Sequence, residues 1–512
     1  MTKTTLINLF ELLTHLNTPD GIQASSGELY RGAIFGRDSL RVALDLLPWL
    51  PSIGEQVIFS LVRYQGIGYS EITEEEPGRI HHEYRHQYVG GRKIGSRQQN
   101  SLDYLSAKWG GNGKEVIYYG SIDATPQFIR LVCQFCVQRG REILEEPFLH
   151  RSGKERTLKE AVLDAAVWLN KKVEASELQL LEFENHNPKG LFWHVMRDGK
   201  LSYIHENGKL ANRKMPIASL EVQGLAYDAL IGAADLFEES EVDLAVRWRK
   251  TAENLQRATL EQFWQEERQE FAMAIDRTPK GVPRKVTVTS SVMGDLLESA
   301  IFKNLPEKDQ ACYVGAIVKK MYSEDFLTPV GIRNRSLRYA DLVPLWDYHG
   351  SFVSWTVITN IFALGLRNYG LSVLAEDMEN RLVNAAEQTD SYLEFFYVDK
   401  KGVVFFAPQQ LVRQESQAHE SVQNAVLGTN LPENIQAWTV SGLLRILLNR
   451  SQPFYKESPK VMWQEQVEAD IRANGVLWNA GASGKPTYHD FNPLYVDVVE
   501  GRKAQEAFIG LM

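Results

Sequence analysis

Arg37 and Asp38 stand side by side in Phe35-Gly36-Arg37-Asp38-Ser39-Leu40, where a polar loop runs into an amphipathic stretch. A guanidinium donates hydrogen bonds from a planar fork and a carboxylate accepts from two neighbouring hydroxyls, so the pair can orient a polyhydroxylated ligand. Asp38 equally suits the first turn of a helix, where a negative charge complements the dipole. Pro77-Gly78-Arg79-Ile80-His81-His82-Glu83-Tyr84-Arg85 groups titratable side chains in a long connection, and Tyr118-Tyr119-Gly120-Ser121-Ile122-Asp123-Ala124-Thr125-Pro126 sets two tyrosines and an aspartate just before a helical pattern. Pro216-Ile217-Ala218-Ser219-Leu220-Glu221-Val222-Gln223-Gly224 and Gln436-Ala437-Trp438 add further polar and aromatic groups. His82-Glu83-Tyr84-Arg85-His86 spells H-E-x-x-H, a zinc signature that needs both histidines on one helix face. Pro77-Gly78 before it and Gly90-Gly91 after it leave no amphipathic helix there, so neither a metal nor another cofactor is expected.

Helices must position these groups, because apolar residues recur at helical spacing through most of the chain. Leu6, Leu9, Phe10, Leu13 and Leu16 open it, and comparable stretches follow near 36–49, 53–64, 123–140, 157–174, 216–237 and 240–262, then 290–302, 307–321, 350–369, 372–390 and 433–449. About twelve amphipathic helices are what six hairpins closed into an all-α (α/α)6 barrel require; a TIM barrel or a Rossmann fold needs β-branched strands alternating with the helices. The long polar connections 65–120, 175–215 and 391–431 are the expected carriers of function, with short strands such as Val403-Val404-Phe405-Phe406 decorating them. Prolines and glycines break the periodicity beyond Arg450, so residues 1–450 read as the barrel and 451–512 as a C-terminal extension packed on it.

The net charge of −9 argues against nucleic acid or an anionic membrane as partner and leaves a neutral carbohydrate as the better substrate. Three cysteines are too few for a disulfide framework. Cys133 and Cys136 fall on a helical apolar face with Phe128, Leu131, Val132 and Phe135, which reads as packing. Asn8, Glu11 and His15 interrupt the first apolar stretch and no run reaches transmembrane length, so a cytoplasmic location is expected.

In order and wording these segments resemble the bacterial glycogen debranching enzyme and amylo-α-1,6-glucosidase family, whose members carry G-R-D-S-L, E-E-P-G-x-I-x-H-E-x-R, Y-Y-G-S-x-D-A-T-P, P-I-A-x-x-E-V-Q-G and S-P-Q-A-W. The matches span roughly residues 35–440. The resemblance implies a six-hairpin glycosidase barrel that holds the terminal glucose with Arg37 and Asp38. It carries over His82, Glu83, Arg85, Tyr119, Asp123, Glu221, Gln223 and Trp438 as pocket residues. The family's acid lies in G-L-x-N-Q-G-W-K-D-S, and the ungapped match Gly190-Leu191-Phe192-Trp193-His194-Val195-Met196-Arg197-Asp198-Gly199 puts Asp198 on it. The family's base lies in a P-E-L stretch upstream of Q-A-W, a place filled by Leu393-Glu394-Phe395-Phe396. Inversion requires one protonated carboxyl beside the leaving oxygen and one ionised carboxylate to activate water from the opposite face. The aromatic neighbours of Glu394 disfavour an unpartnered charge, so a hydrogen-bonding or cationic partner is expected for it.

The chain also departs from the family. W-K-D-S has become Met196-Arg197-Asp198-Gly199, with Trp193 placed to substitute for the lost aromatic. Tyr348-His349-Gly350-Ser351-Phe352-Val353-Ser354-Trp355-Thr356-Val357 lacks the P-H-D of Y-H-x-G-S-V-W-P-H-D, and Gly331-Ile332-Arg333 is not followed by T-L-S. The expected activity is therefore release of glucose from a terminal α-glucoside, the 1,6-branch stub of a glycogen-like polymer first. A small glucoside or compatible solute is the alternative on the same fold, and an inactive sugar-binding relative the alternative from another class.

Overall fold

The computed structural model describes residues 5–27, 30–408, 410–411, 431–455, 459–478 and 487–488. In chain order the α-helices are α1 (Leu6–Leu16), α2 (Gly36–Leu46), α3 (Pro51–Val62), α4 (Ser96–Trp109), α5 (Ala124–Arg139), α6 (Leu158–Ala175) and α7 (Gln223–Phe237). There follow α8 (Val242–Phe263), α9 (Val292–Asp295), α10 (Glu307–Met321), α11 (Thr356–Asn368), α12 (Ser372–Thr389), α13 (Ala437–Ser451) and α14 (Met462–Ala473). Helices α2, α5, α7, α9 with its 3-10 continuation Leu296–Glu298, α11 and α13 pack each on the next, and α13 returns to α2 to close a ring. The outer helices α1, α3, α6, α8, α10 and α12 alternate with them along the chain, which is the expected (α/α)6 barrel.

Burial separates the two layers. Every residue of α2 from Gly36 to Leu46 is buried, whereas α8 buries Ala245, Trp248, Ala252, Leu255 and Phe263 and keeps Arg247 and Lys250 in solvent. An apolar stripe of that kind anchors an outer helix on one side only. The inner ring also encloses charge: Asp45 accepts from Arg41 at 2.8 Å, Asn360 at 3.2 Å and Ser441 at 2.8 Å.

Because each outer helix runs the chain back, all six inner helices start at the same end. Short antiparallel sheets line that end. Ala33–Phe35, Glu83–His86 and Glu115–Tyr118 form one, Val353–Trp355, Phe395–Val398 and Val404–Phe405 a second, and Ala218–Ser219, Ala274–Arg277 and Pro283–Val286 a third.

Some boundaries differ from the sequence reading. The stretch 65–120 contains α4, whose buried side chains are only Leu102, Ser106 and Trp109, too sparse to stand out as a period. The helix expected at 290–302 is one α-turn and one 3-10 turn, because Ser299 adopts an extended conformation and its hydroxyl accepts the Ile301 N–H. The stretches 216–237 and 350–369 begin as strands, and their α-helices start only at Gln223, after a 3-10 turn over Leu220–Val222, and at Thr356. Beyond Arg450, α14 lies along α10 through Lys319–Asp470 at 2.7 Å, while 456–458, 479–486 and 489–512 lie outside the described residues, as do 409 and 412–430 of the third long connection.

Candidate active site

The start of α2 lies hard against the strand Glu83–His86. Gly36 N–H donates to His82 O at 2.9 Å, and a Cβ on Gly36 would come within 2.3 Å of the His81 carbonyl oxygen, so a side chain there would force the two apart. Register sets Phe35 opposite Glu83, and Glu83 opposite Tyr118. The His82 ring packs edge-on against Phe35 and Tyr118, and burial, reinforced by the Arg37 guanidinium, lowers its pKa to about 3. Glu83 and Arg85 share a strand face and pair with each other. With Glu83–His86 extended, His82 and His86 stand on the order of 13 Å apart, too far to share one zinc ion. Among the described residues no group of three His, Cys, Asp or Glu side chains is arranged to hold a metal.

Arg37 and Asp38 are tied to the two flanking inner helices. Arg37 Nε donates to Asp123 Oδ2 at 2.5 Å at the start of α5, Ser121 Oγ donates to the other Asp123 oxygen, and Gln436 Nε2 donates to Asp38 Oδ1 at 3.2 Å from the start of α13. Arg37 Nη2 and Gln436 Oε1 are buried without a hydrogen-bond partner, a donor and an acceptor beside the Asp38 carboxylate. Burial raises the pKa of Asp38 to about 7 against the pull of Arg37.

Asp198 enters from the connection between α6 and α7. Tyr348 Oη donates to its Oδ1 at 2.9 Å and His349 Nε2 lies 3.6 Å from the same oxygen. The His349 ring stacks on Trp355 at 4.9 Å. Gly199 makes this approach possible, since a Cβ there would meet His349 Cδ2 at 2.7 Å; the departure from the family's serine thus fits the neighbouring rings. Burial pushes the Asp198 pKa up, but His349, Arg37 and His82 outweigh it and hold the carboxyl below its ordinary range. That direction is the reverse of what a resting general acid is expected to show.

Glu394 stands next to Phe395, which pairs with Trp355 across the sheet and packs near Tyr348. It immediately precedes the strand Phe395–Val398, its carbonyl accepts the Thr356 N–H at 3.2 Å where α11 begins, and its Oε2 accepts the Glu433 N–H at 3.3 Å. This supplies a hydrogen-bonding partner of the kind the sequence required. Glu433 is itself buried and accepts from Ser25 Oγ at 2.7 Å. Burial pushes the Tyr30 pKa well up, and so do the charges of Glu394, Glu433, Asp198 and Glu83.

Other expected pocket residues prove to be supports. Both Glu221 oxygens are engaged, Oε2 by Arg197 at 2.5 Å and Oε1 by Tyr203 at 2.7 Å. Gln223 spends its amide on Leu181 N–H, Leu181 O and Ser219 O, and the Tyr119 hydroxyl donates to Tyr64 O at 2.6 Å. These three bond to groups of the protein itself, as positioning residues do. Trp193 is wholly buried against Phe192 and Tyr203, so it does not replace the missing aromatic; Tyr348 and Trp355 stand beside Asp198 instead. Trp438 packs near Trp355 and lines, with Arg37, Asp123 and Glu221, a cavity of about 40 Å³ under the site, room for water and not for a sugar.

Arg197 anchors the segment that presents Asp198. Fully buried, it binds Glu221, Asp295 at 2.6 Å, Asn334 at 2.8 Å and Ser291 at 3.0 Å. Arg197→Met should lower unfolding free energy by about 3–5 kcal/mol, because two carboxylates lose their buried cation; urea denaturation measures it, and an unchanged midpoint would remove the anchoring role.

Tyr30, Glu433 and Gln436 were not singled out as site residues by the sequence. Gln436 belongs to a recognised motif; Tyr30, edge-on to Phe35, and Glu433, reached by Ser25 from 408 positions away, carry no motif of their own.

No family model matches the chain and no curated protein matches it. Among solved structures, an uncharacterized conserved protein from Thermus thermophilus superposes with TM-score 0.53 at 14% identity, covering 86% of this chain and 99% of its own. The GH63 mannosylglycerate hydrolase from the same organism superposes with TM-score 0.52 at 14% identity in complex with glucose (87% and 100% covered), and with TM-score 0.51 at 13% identity in complex with Tris (86% and 99% covered). At these identities the likeness is one of fold. Among the described residues no helix is long and apolar enough to cross a membrane.

Proposed function

We propose that this protein is an inverting glycoside hydrolase that releases one hexose from the non-reducing end of a short α-glycoside, with Asp198 as general acid and Glu394 as general base. The observation that supports the reading is that the charges of Asp198 and Glu394 both act on Tyr30 and that of Asp198 also on Arg37, at the end of the barrel where every inner helix begins. Arg37 and Asp38 hold the sugar hydroxyls, Asp198 gives its proton to the glycosidic oxygen, and Glu394 takes a proton from the water that attacks the anomeric carbon from the other face.

A bound glycoside shields Asp198 from water, and that desolvation works against the ionised form, moving the acid toward the protonation its role requires. The resting state makes its own prediction. His349→Phe preserves an aromatic plane against Trp355 while removing the imidazole that lowers the Asp198 pKa, so the alkaline limb of the kcat/KM profile should move to higher pH. A limb that stays in place would detach His349 from the acid.

Support for a small substrate comes from the half-buried carboxylates and from the like-folded hydrolase, whose name assigns it mannosylglycerate and 100% of whose chain is covered by the match. The branch stub of a glycogen-like polymer is the second reading, favoured by the order of the five motifs. Purified protein offered short α-glucosides and α-mannosides beside branched dextrin separates them: hexose from the small glycosides supports the first, hexose from dextrin alone supports the second, and hexose from neither rejects both.

A further inference from the structure

The chain departs from the debranching family at Asn334-Arg335, where the family has T-L, and at Arg197 and Gly199, which flank Asp198 where the family has K and S. In the fold these departures meet. Arg197 Nε donates to Asn334 Oδ1 at 2.8 Å, and the Asn334 amide nitrogen donates to the His349 carbonyl oxygen. A guanidinium can only donate and a carbonyl can only accept, so this buried side chain must show an acceptor to one neighbour and a donor to the other. A primary amide does both at once, and a single threonine hydroxyl cannot stand in both places. The backbone of Asn334 is fixed as well: its N–H donates to Val353 O at 2.8 Å, and its carbonyl accepts the Ser291 N–H at 3.0 Å and Ser290 Oγ at 2.7 Å.

The far side of Asp198 is held separately. Arg335 Nη2 donates to Leu201 O at 2.8 Å and Ser202 O at 3.0 Å, in the turn where the Ser202 N–H donates to Gly199 O at 2.8 Å. Arg335 is buried and among the described residues forms no salt bridge, a costly placement for a cation, and these carbonyls are what it grips. Arg197 keeps Glu221, Asp295 and Ser291 even without Asn334. With the Asp198 segment held at both ends, what Asn334 alone controls is the segment of Tyr348 and His349.

We infer that Asn334 is a positioning residue that sets the His349 imidazole against Asp198. The inference rests on the reading of Asp198 as general acid, through which Asn334 would reach the reaction. Asp198 is also faced by Arg37, Asp38 and His82 and by Tyr30 and Tyr348, of which only Tyr348 would move with His349.

The test is an NMR titration of protein carrying 13C at its aspartate carboxyls, with the Asp198 signal identified by its loss in Asp198→Asn; it needs no turnover. Asn334→Thr should raise the Asp198 pKa by about one pH unit, as His349→Phe should, and the double variant should go no further than His349→Phe alone. If Asn334→Thr does not fold, Asn334→Asp has the same shape and still accepts from Arg197 but cannot donate to His349. Its shift should be larger with His349 present than in the His349→Phe background, a difference from which the added charge drops out. An Asp198 pKa that stays in place in folded Asn334→Thr, or that moves equally with and without His349, would overturn the proposal. The alkaline limb of kcat/KM should follow the carboxyl. A limb that stays while the carboxyl moves would uphold the role of Asn334 toward His349 and remove Asp198 as the acid.

Discussion

Asp198→Asn should lower kcat on an ordinary α-glycoside by about 10²–10⁴-fold, the usual contribution of a positioned general acid. Asn keeps an acceptor for the Tyr348 hydroxyl and leaves the buried Arg197 anchor untouched, so the variant should fold normally. The loss should vanish with α-glucosyl fluoride, because fluoride departs without needing a full proton, and the acid is then dispensable. Normal turnover of an ordinary glycoside by the folded variant would exclude Asp198 from the chemistry. Loss on both substrates would mean a role other than proton donation.

Glu394→Gln should cost a similar 10²–10⁴-fold on both substrates, since water must be activated whatever the leaving group. The amide keeps an oxygen for the Glu433 N–H, so the local geometry has no reason to collapse. Glu433→Gln is the informative comparison: its carboxylate is buried and bonded to Ser25, whereas Glu394 is half-buried and better able to reach a water. Turnover of the fluoride that survives Glu394→Gln and disappears in Glu433→Gln would transfer the base role to Glu433.

The barrel was legible because most of its helices bury stripes with a period near 3.6, as α6 does with Ala161, Val162, Ala165, Ala166, Leu169 and Val173. Helix α4 carries too few buried side chains for such a stripe, and α14, with Trp463, Val467 and Ile471, is short and sits beyond the break at Arg450. At the site, Arg37, Asp38 and Asp123 were readable because each sits at the start of an inner helix in a compact motif, and the structure joins them. Glu221 and Gln223 were readable as important but not as to purpose: a buried carboxylate facing a ligand and one facing Arg197 look identical in sequence. Nor does any local pattern bring Ser25 to Glu433 or Gln436 to Asp38, pairs separated by 408 and 398 positions.

The direction of Asp198's pKa is a further instance. The offset by His349 depends on Gly199 having no side chain and on Trp355 stacking against the imidazole.

The central claim is single displacement between Asp198 and Glu394, and the anomer first released reports it directly. Proton NMR of the reaction of an α-glycoside, recorded before mutarotation, should show the β-hexose appearing first and the α-anomer only as equilibrium is approached. If the α-hexose appears first, the reaction retains configuration, and the assignment of these two carboxylates as acid and base is contradicted.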